Sequence, residues 1–169
     1  RWTDEKQQLI TKYNEFGFRD ATILKDSVWN VDPKHVDIYV KVNEGKKYYI
    51  RNISWVGNTV YSTDYLSRLL GMKKGDVYNQ TYLSKRLSQD EDAVGNEYWN
   101  NGYLFYRLEP TEVNIVGDSI DLEMRITEGQ QAHINRVKIN GNDRLYENVV
   151  RRELSTKPVD LFYKEALKR

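Results

Sequence analysis

Two histidines, His35 and His133, are the side chains best suited to proton transfer near neutral pH, and neither has a second histidine close by in the chain. That isolation disfavours a histidine-rich metal site and a Ser-His-Asp arrangement. Cysteine is absent, which excludes disulfides, thiolate ligands and a cysteine nucleophile. The acidic run Gln89-Asp90-Glu91-Asp92 offers hard oxygen ligands, but a helix would fan them around its axis and no histidine joins them. It reads as a solvated helix face. No set of nucleophile, base and orienting group can be assembled, so the sequence points away from an enzyme, and no metal or cofactor is expected.

What remains is the chemistry of backbone and aromatic surface, with 13 Tyr and 4 Trp. One extended segment opens with Tyr103-Leu104-Phe105-Tyr106-Arg107; strand alternation puts Tyr103, Phe105 and Arg107 on one face and Leu104 and Tyr106 on the other. At a sheet edge, such a strand presents unpaired N–H and C=O groups to an extended guest. Trp55, in phase with Ile53, is expected in the core. Trp99, one step off a helical stripe through Val94 and Tyr98, is expected at an interface. Lys and Arg number 26 against 25 Asp and Glu, a balance with no general attraction for nucleic acid. No stretch approaches the roughly 18 apolar residues that span a bilayer. The chain begins inside a helical pattern without Met, as a piece of a longer protein would.

A repeat organises these residues. Glu44-Gly45 recurs as Glu128-Gly129 and Gly57-Asn58 as Gly141-Asn142, both 84 positions later. Tyr13-Asn14-Glu15-Phe16-Gly17-Phe18 is matched by Tyr98-Trp99-Asn100-Asn101-Gly102-Tyr103, 85 positions later. One complete unit spans 46–129. It opens with a β-branched and aromatic segment, 49–56, that ends at Gly57-Asn58. A helix capped by Ser62 or Thr63 carries Leu66, Leu69 and Leu70 and stops at Gly71. A longer helix follows, with Leu83, Leu87, Val94 and Tyr98 as its apolar stripe, ending near Asn101-Gly102. Two strands, 103–116 and 119–127, close the unit as a hairpin about Gly117-Asp118. In the second, Ile120, Leu122, Met124 and Ile126 point inward.

The predicted fold is α+β, in β-α-α-β-β order: a three-stranded mixed sheet covered on one face by two helices. The first strand should lie beside the last, because Pro110 confines the middle strand to an edge. Residues 1–45 read as the later part of another unit: helix 2–15, strand 20–29, and strand 35–43 with Val36, Ile38, Val40 and Val42 inward. Residues 130–169 read as the earlier part of a third: strand 134–139, helix 143–154, and a second helix starting at 161–169. The two partial units are complementary, so neighbouring molecules could complete each other head to tail. Gly45, Gly57, Asn58, Gly129, Gly141 and Asn142 are assigned to the inter-unit junctions, where they would set the angle between units.

The Gly-Asn after strand one, the Tyr-x-x-x-Gly-Tyr/Phe at the end of helix two and the Glu-Gly after strand three resemble the POTRA domains of the BamA family of outer-membrane assembly proteins. Gly17-Phe18-Arg19-Asp20-Ala21 and Val149-Val150-Arg151-Arg152-Glu153-Leu154 are similar to BamA-type sequences in particular. The second of these looks like the start of the last POTRA before the barrel, making the complete unit the fourth of five. Lys157-Pro158-Val159-Asp160 departs from the pattern, since the family has Gly where Val159 stands. The resemblance implies a non-enzymatic role at the periplasmic face of the outer membrane of a Gram-negative bacterium. It implies a parent chain with a membrane β-barrel, accessory lipoproteins held by the array, and unfolded outer-membrane proteins as clients.

Two other readings compete. A POTRA of a two-partner secretion or other outer-membrane transporter would share the pattern, whereas tandem repetition argues against a single-domain division scaffold. A KH-like nucleic-acid module shares the element order, but its Gly-x-x-Gly clamp is missing. Here Gly71-Met72-Lys73-Lys74-Gly75 has three intervening residues.

Overall fold

A computed structural model describes residues 2–140, 146–154 and 162. Helix α1 (Trp2–Glu15) places Asp4 and Glu5 in its first turn and Lys12 in its last, each sign matching the helix dipole. It leads into an antiparallel hairpin, β1 (Thr22–Asp32) and β2 (His35–Asn43). The hairpin turn is held by Asp32, whose Oδ1 accepts from the Lys34 and His35 N–H groups at 2.7 and 2.8 Å. Asp26 on β1 accepts from Trp2 Nε1 at 2.8 Å and from Lys6 Nζ at 3.1 Å, stapling α1 onto the sheet. Of the residues expected to point inward, Val40 and Val42 are half-buried, but Val36 and Ile38 are exposed. The staple lies at Asp26, opposite Val40, and the face nearer the hairpin tip is left open.

The central unit follows the predicted order. β3 (Tyr49–Val56) runs parallel to β5 (Ser119–Thr127), β4 (Arg107–Val116) runs antiparallel to β5, and the strand order is β3-β5-β4. Helix α2 (Thr63–Leu70) starts at Ser62, whose hydroxyl accepts from the Tyr65 N–H at 3.3 Å, and ends at Gly71. Ile120, Leu122, Met124 and Ile126 of β5 are buried against Ile50, Leu66, Leu70, Leu83, Val94 and Tyr98. Trp55 is buried as expected, its Nε1 donating to Ser67 Oγ at 2.9 Å. Trp99 is half-buried and packs one side of its ring against the core, edge-on to Tyr106.

The predicted second helix is broken. α3 (Gln80–Ser84) runs into a π-helical turn at Lys85–Gln89, the chain goes extended, and α4 (Val94–Asn100) begins afresh. Arg86 explains the break. Its guanidinium donates to the Leu69 carbonyl through Nε at 3.0 Å and again through Nη2, and to Asp90 and Asp92 at 3.2 and 2.5 Å. The acidic run is therefore a loop folded around an arginine rather than a helix face. Leu87 and Val94 stay buried on either side of it.

The strand expected from Tyr103 begins only at Arg107. Tyr103 and Tyr106 both pack on the Tyr98 ring, edge-on at 5.9 Å and stacked at 4.3 Å. Residues three apart lie on opposite faces of a strand, so both rings reach Tyr98 only through a turn, closed by the Tyr106 N–H to the Tyr103 carbonyl at 3.2 Å. Beyond the central unit, residues 134–140 form no strand, since no neighbouring strand lies alongside them among the described residues. Helix α5 (Glu147–Glu153) falls within the expected 143–154. Gly141, Asn142, the Lys157–Asp160 turn and most of the 161–169 helix lie outside the described residues.

Candidate strand-pairing edge and unit junctions

Among the described residues, β4 is an edge strand of its sheet and pairs only with β5. Opposite residues in the ladder share a face, so the pairs Leu108–Ile126 and Ile115–Ile120 put Leu108 and Ile115 on the helix side. By the same pairing, Arg107, Glu109, Thr111 and Asn114 lie on the open face. Two features shape the edge. Pro110 donates no N–H, and the register shifts between Glu112 and Asn114, leaving Val113 as a bulge. Val113, Ile115 and Val116 are all exposed. At the start of β4, Phe105, Arg107, Glu109, Arg125, Thr127 and Gly129 line an open cavity of about 510 Å³.

The opposite edge of the sheet is covered along its first half. The Ile50 N–H donates to the Asp76 carbonyl at 2.8 Å, the Gly75 N–H to the Ile50 carbonyl at 2.7 Å, and the Tyr78 N–H to the Tyr48 carbonyl at 2.9 Å. The loop before α3 thus occupies the backbone groups of β3 that a guest would need. The longer free margin is β4.

Of the five residues assigned to this margin, Arg107 alone lies in β4. Tyr106 is buried and Tyr103 packs against the core; Leu104 is partly exposed and Phe105 is 70 % exposed. Burial pushes the Tyr106 hydroxyl well above the usual phenol range. The residues on the free strand that the sequence assignment passed over are Val113, Ile115 and Val116, whose alternation is interrupted by the bulge.

The assigned glycines divide. Gly57 (φ +89°) and Asn58 lie inside the central unit and not between units: a Cβ on Gly57 would sit 2.0 Å from the Ile126 carbonyl oxygen. This loop is tied down by Glu128. Its carboxylate accepts from the Thr59 N–H (2.9 Å), Thr59 Oγ1 (2.5 Å), the Val60 N–H (3.0 Å) and Tyr98 Oη (2.8 Å). Burial works to raise the Glu128 carboxyl, but the Thr59 hydroxyl, the Val60 N–H and the other donors outweigh it and hold it below its ordinary value. A carboxylate in this setting is a structural anchor. The Glu128 of the Glu-Gly pair thus anchors the loop that directly follows Gly57-Asn58. The sequence shows Glu128 as a recurring residue but not its bonds to Thr59 and Val60.

Gly45 and Gly129 follow the ends of β2 and β5, each with φ +71°, and a Cβ would approach the Cβ of Asp20 at 3.3 Å and of Phe105 at 3.1 Å. Those neighbours are themselves 85 positions apart, so the contact repeats. Backbone bonds repeat as well. The Tyr48 N–H donates to the Gly17 carbonyl and the Ala132 N–H to the Gly102 carbonyl, both at 2.8 Å. The Tyr78 N–H to Tyr48 carbonyl bond has its counterpart in Phe162 to Ala132 at 3.1 Å. At the first junction, polar side chains add to these. Tyr48 Oη donates to Asp20 at 2.9 Å, Arg19 pairs with Glu112 at 2.9 Å, and Tyr78 Oη donates to Glu112 at 2.8 Å. Burial, with Glu112 beside it, pushes the Tyr78 hydroxyl up to about 12. Among the described residues, no group of three His, Cys, Asp or Glu could hold a metal ion.

A family model described as POTRA, surface antigen variable number repeat, matches residues 48–129. A "Putative outer membrane protein assembly factor" of Treponema pallidum is 25% identical over 166 residues, covering 95% of this chain and 19% of that protein. "Outer membrane protein assembly factor BamA" of Neisseria meningitidis is 30% identical over 114 residues, covering 63% of this chain and 14% of that protein. The chain therefore spans about a fifth or less of the curated relatives it matches. Among solved structures, Haemophilus influenzae BamA POTRA3-5 aligns with a TM-score of 0.71 at 18% identity, covering 99% of this chain and 65% of that one. The fold, the matched unit and the named relatives agree: residues 48–129 match the POTRA family, and the chain as a whole is similar to BamA-type outer-membrane protein assembly factors.

Proposed function

We propose that this chain is a periplasmic segment of an outer-membrane β-barrel assembly protein, and that it binds unfolded outer-membrane proteins by adding their extended segments to the edge of β4. The observation that carries the reading is the asymmetry of the central sheet. Among the described residues, the outer margin of β4 is unpaired, whereas the first half of β3 is covered by the chain's own loop. Pairing through backbone N–H and C=O groups is tolerant of guest sequence, which suits a protein with many clients. Exposed Ile115 and Val116 give the guest apolar contact beside those bonds. The same reading makes the array a non-enzymatic scaffold for accessory lipoproteins and places a membrane β-barrel elsewhere in the parent chain.

The test uses two versions of an extended peptide copied from a barrel strand, one with every second amide N-methylated. Methylation removes donors on one edge while leaving the side chains in place. The native peptide should bind this chain and the methylated one should lose at least most of that affinity. Equal binding of the two would remove strand addition from the mechanism.

A further inference from the structure

The outer margin of β4 is not one continuous row of donors and acceptors. Gly117-Asp118 is a two-residue turn, so Val116 and Ser119 exchange both backbone bonds beside it. Bonding alternates from there along β5, which turns Asp121, Glu123, Arg125 and Thr127 toward β4. The Tyr49 N–H to Asp118 carbonyl bond at 2.8 Å agrees with this phase, since Asp118 faces β3 along with Ile120 and Leu122. The partners Asn114, Thr111, Glu109 and Arg107 are therefore bonded inward. Leu108, Pro110, Glu112 and Ile115 direct their backbone groups outward.

Pro110 thus falls in the outward row, where its ring stands in place of a donor. On its N-terminal side the row is poor. Leu108 offers an outward N–H, but the Tyr106 N–H before it is already bonded to the Tyr103 carbonyl. On its C-terminal side, Glu112 and Ile115 each offer an N–H and a C=O, and Val113, Ile115 and Val116 are exposed around them. Glu112 is held in place by Tyr78 Oη at 2.8 Å and by Arg19 at 2.9 Å, so this half starts at a fixed residue.

Resting on the strand-addition reading above, we propose that Pro110 sets the footprint of that site: a guest strand pairs along Glu112–Val116 and is stopped at the proline. A guest carbonyl carried farther finds no donor, and its strand meets the pyrrolidine ring where a hydrogen would lie. A membrane β-strand has about 9–11 residues, so this edge takes about half of one and leaves the other half unpaired.

Two capped peptides test the footprint by titration: five residues of a barrel strand, and the same five extended by three at each end. Either strand direction then carries the longer peptide past Pro110. In the native chain the longer peptide should bind within about threefold of the shorter. Pro110→Thr restores a donor at an exposed position. It should make the longer peptide bind about tenfold tighter than the shorter, leave the shorter one unchanged, and show slowed exchange of the amide it introduces. Ile115→Pro, which removes a donor inside the footprint, should weaken both peptides at least tenfold. A native chain that already gains tenfold from the extension, or a length dependence that Pro110→Thr leaves unaltered, would overturn the footprint while strand addition stands. Failure of both peptides to bind the native chain would remove strand addition itself, and the footprint with it.

Discussion

Glu128 is the acceptor on which four donors of the central unit converge. It satisfies two backbone N–H groups, a threonine hydroxyl and a buried tyrosine hydroxyl at once. Glu128→Ala should cost about 3 kcal/mol of unfolding free energy in a urea titration, because the donors stay buried without an acceptor. Acid should act through the same group. Its carboxyl is lowered from 4.5 in the folded chain, so the native state binds its proton less readily than the unfolded chain does. The stabilisation is therefore complete above that ordinary value and lost as pH falls through the lower native one. Stability measured from pH 6 down to pH 3 should fall less steeply in Glu128→Gln, which has no proton to take up. Glu128 was legible as a motif residue, recurring with Gly129. Its partners were not, since Thr59 and Val60 are 69 and 68 positions away and only the folded sheet brings them together.

At the scale of elements, periodicity found the helices and strands but could not see a break that preserves phase. Leu83, Leu87, Val94 and Tyr98 all face the core in a continuous helix and also in the broken one, because the loop at 90–93 realigns the stripe. The information lay instead in Arg86 and the two aspartates that close around it. Arg86→Ala should lower stability by about 2 kcal/mol, since it frees the Leu69 carbonyl near the end of α2 as well as both carboxylates. Asp92→Asn, which leaves the Leu69 contact intact, should cost clearly less; a urea series on the two variants separates them. The late start of β4 has the same origin. Tyr103 and Phe105 look like strand residues by composition, yet two rings drawn to one Tyr98 dictate a turn. Composition reports what a residue prefers, and the tertiary partner decided here.

Over the whole molecule, the repeat is visible three times: in sequence, in the matching φ of Gly45 and Gly129, and in the paired backbone bonds at the two junctions. The strand order and the free β4 margin follow from Pro110 and from the parallel seat of β3 beside β5, both readable from sequence. Coverage of β3 by the 75–78 loop was not readable, because those bonds join backbone groups and leave no side-chain signature. That coverage is what makes the sheet one-sided toward a guest. Residue-resolved amide hydrogen exchange, with and without an unfolded outer-membrane protein segment bound, tests it most directly. Amides within Arg107–Val116 should gain protection while those of Tyr49–Val56 stay as they were. Protection that appears along Tyr49–Val56, or nowhere in the central sheet, would contradict the account.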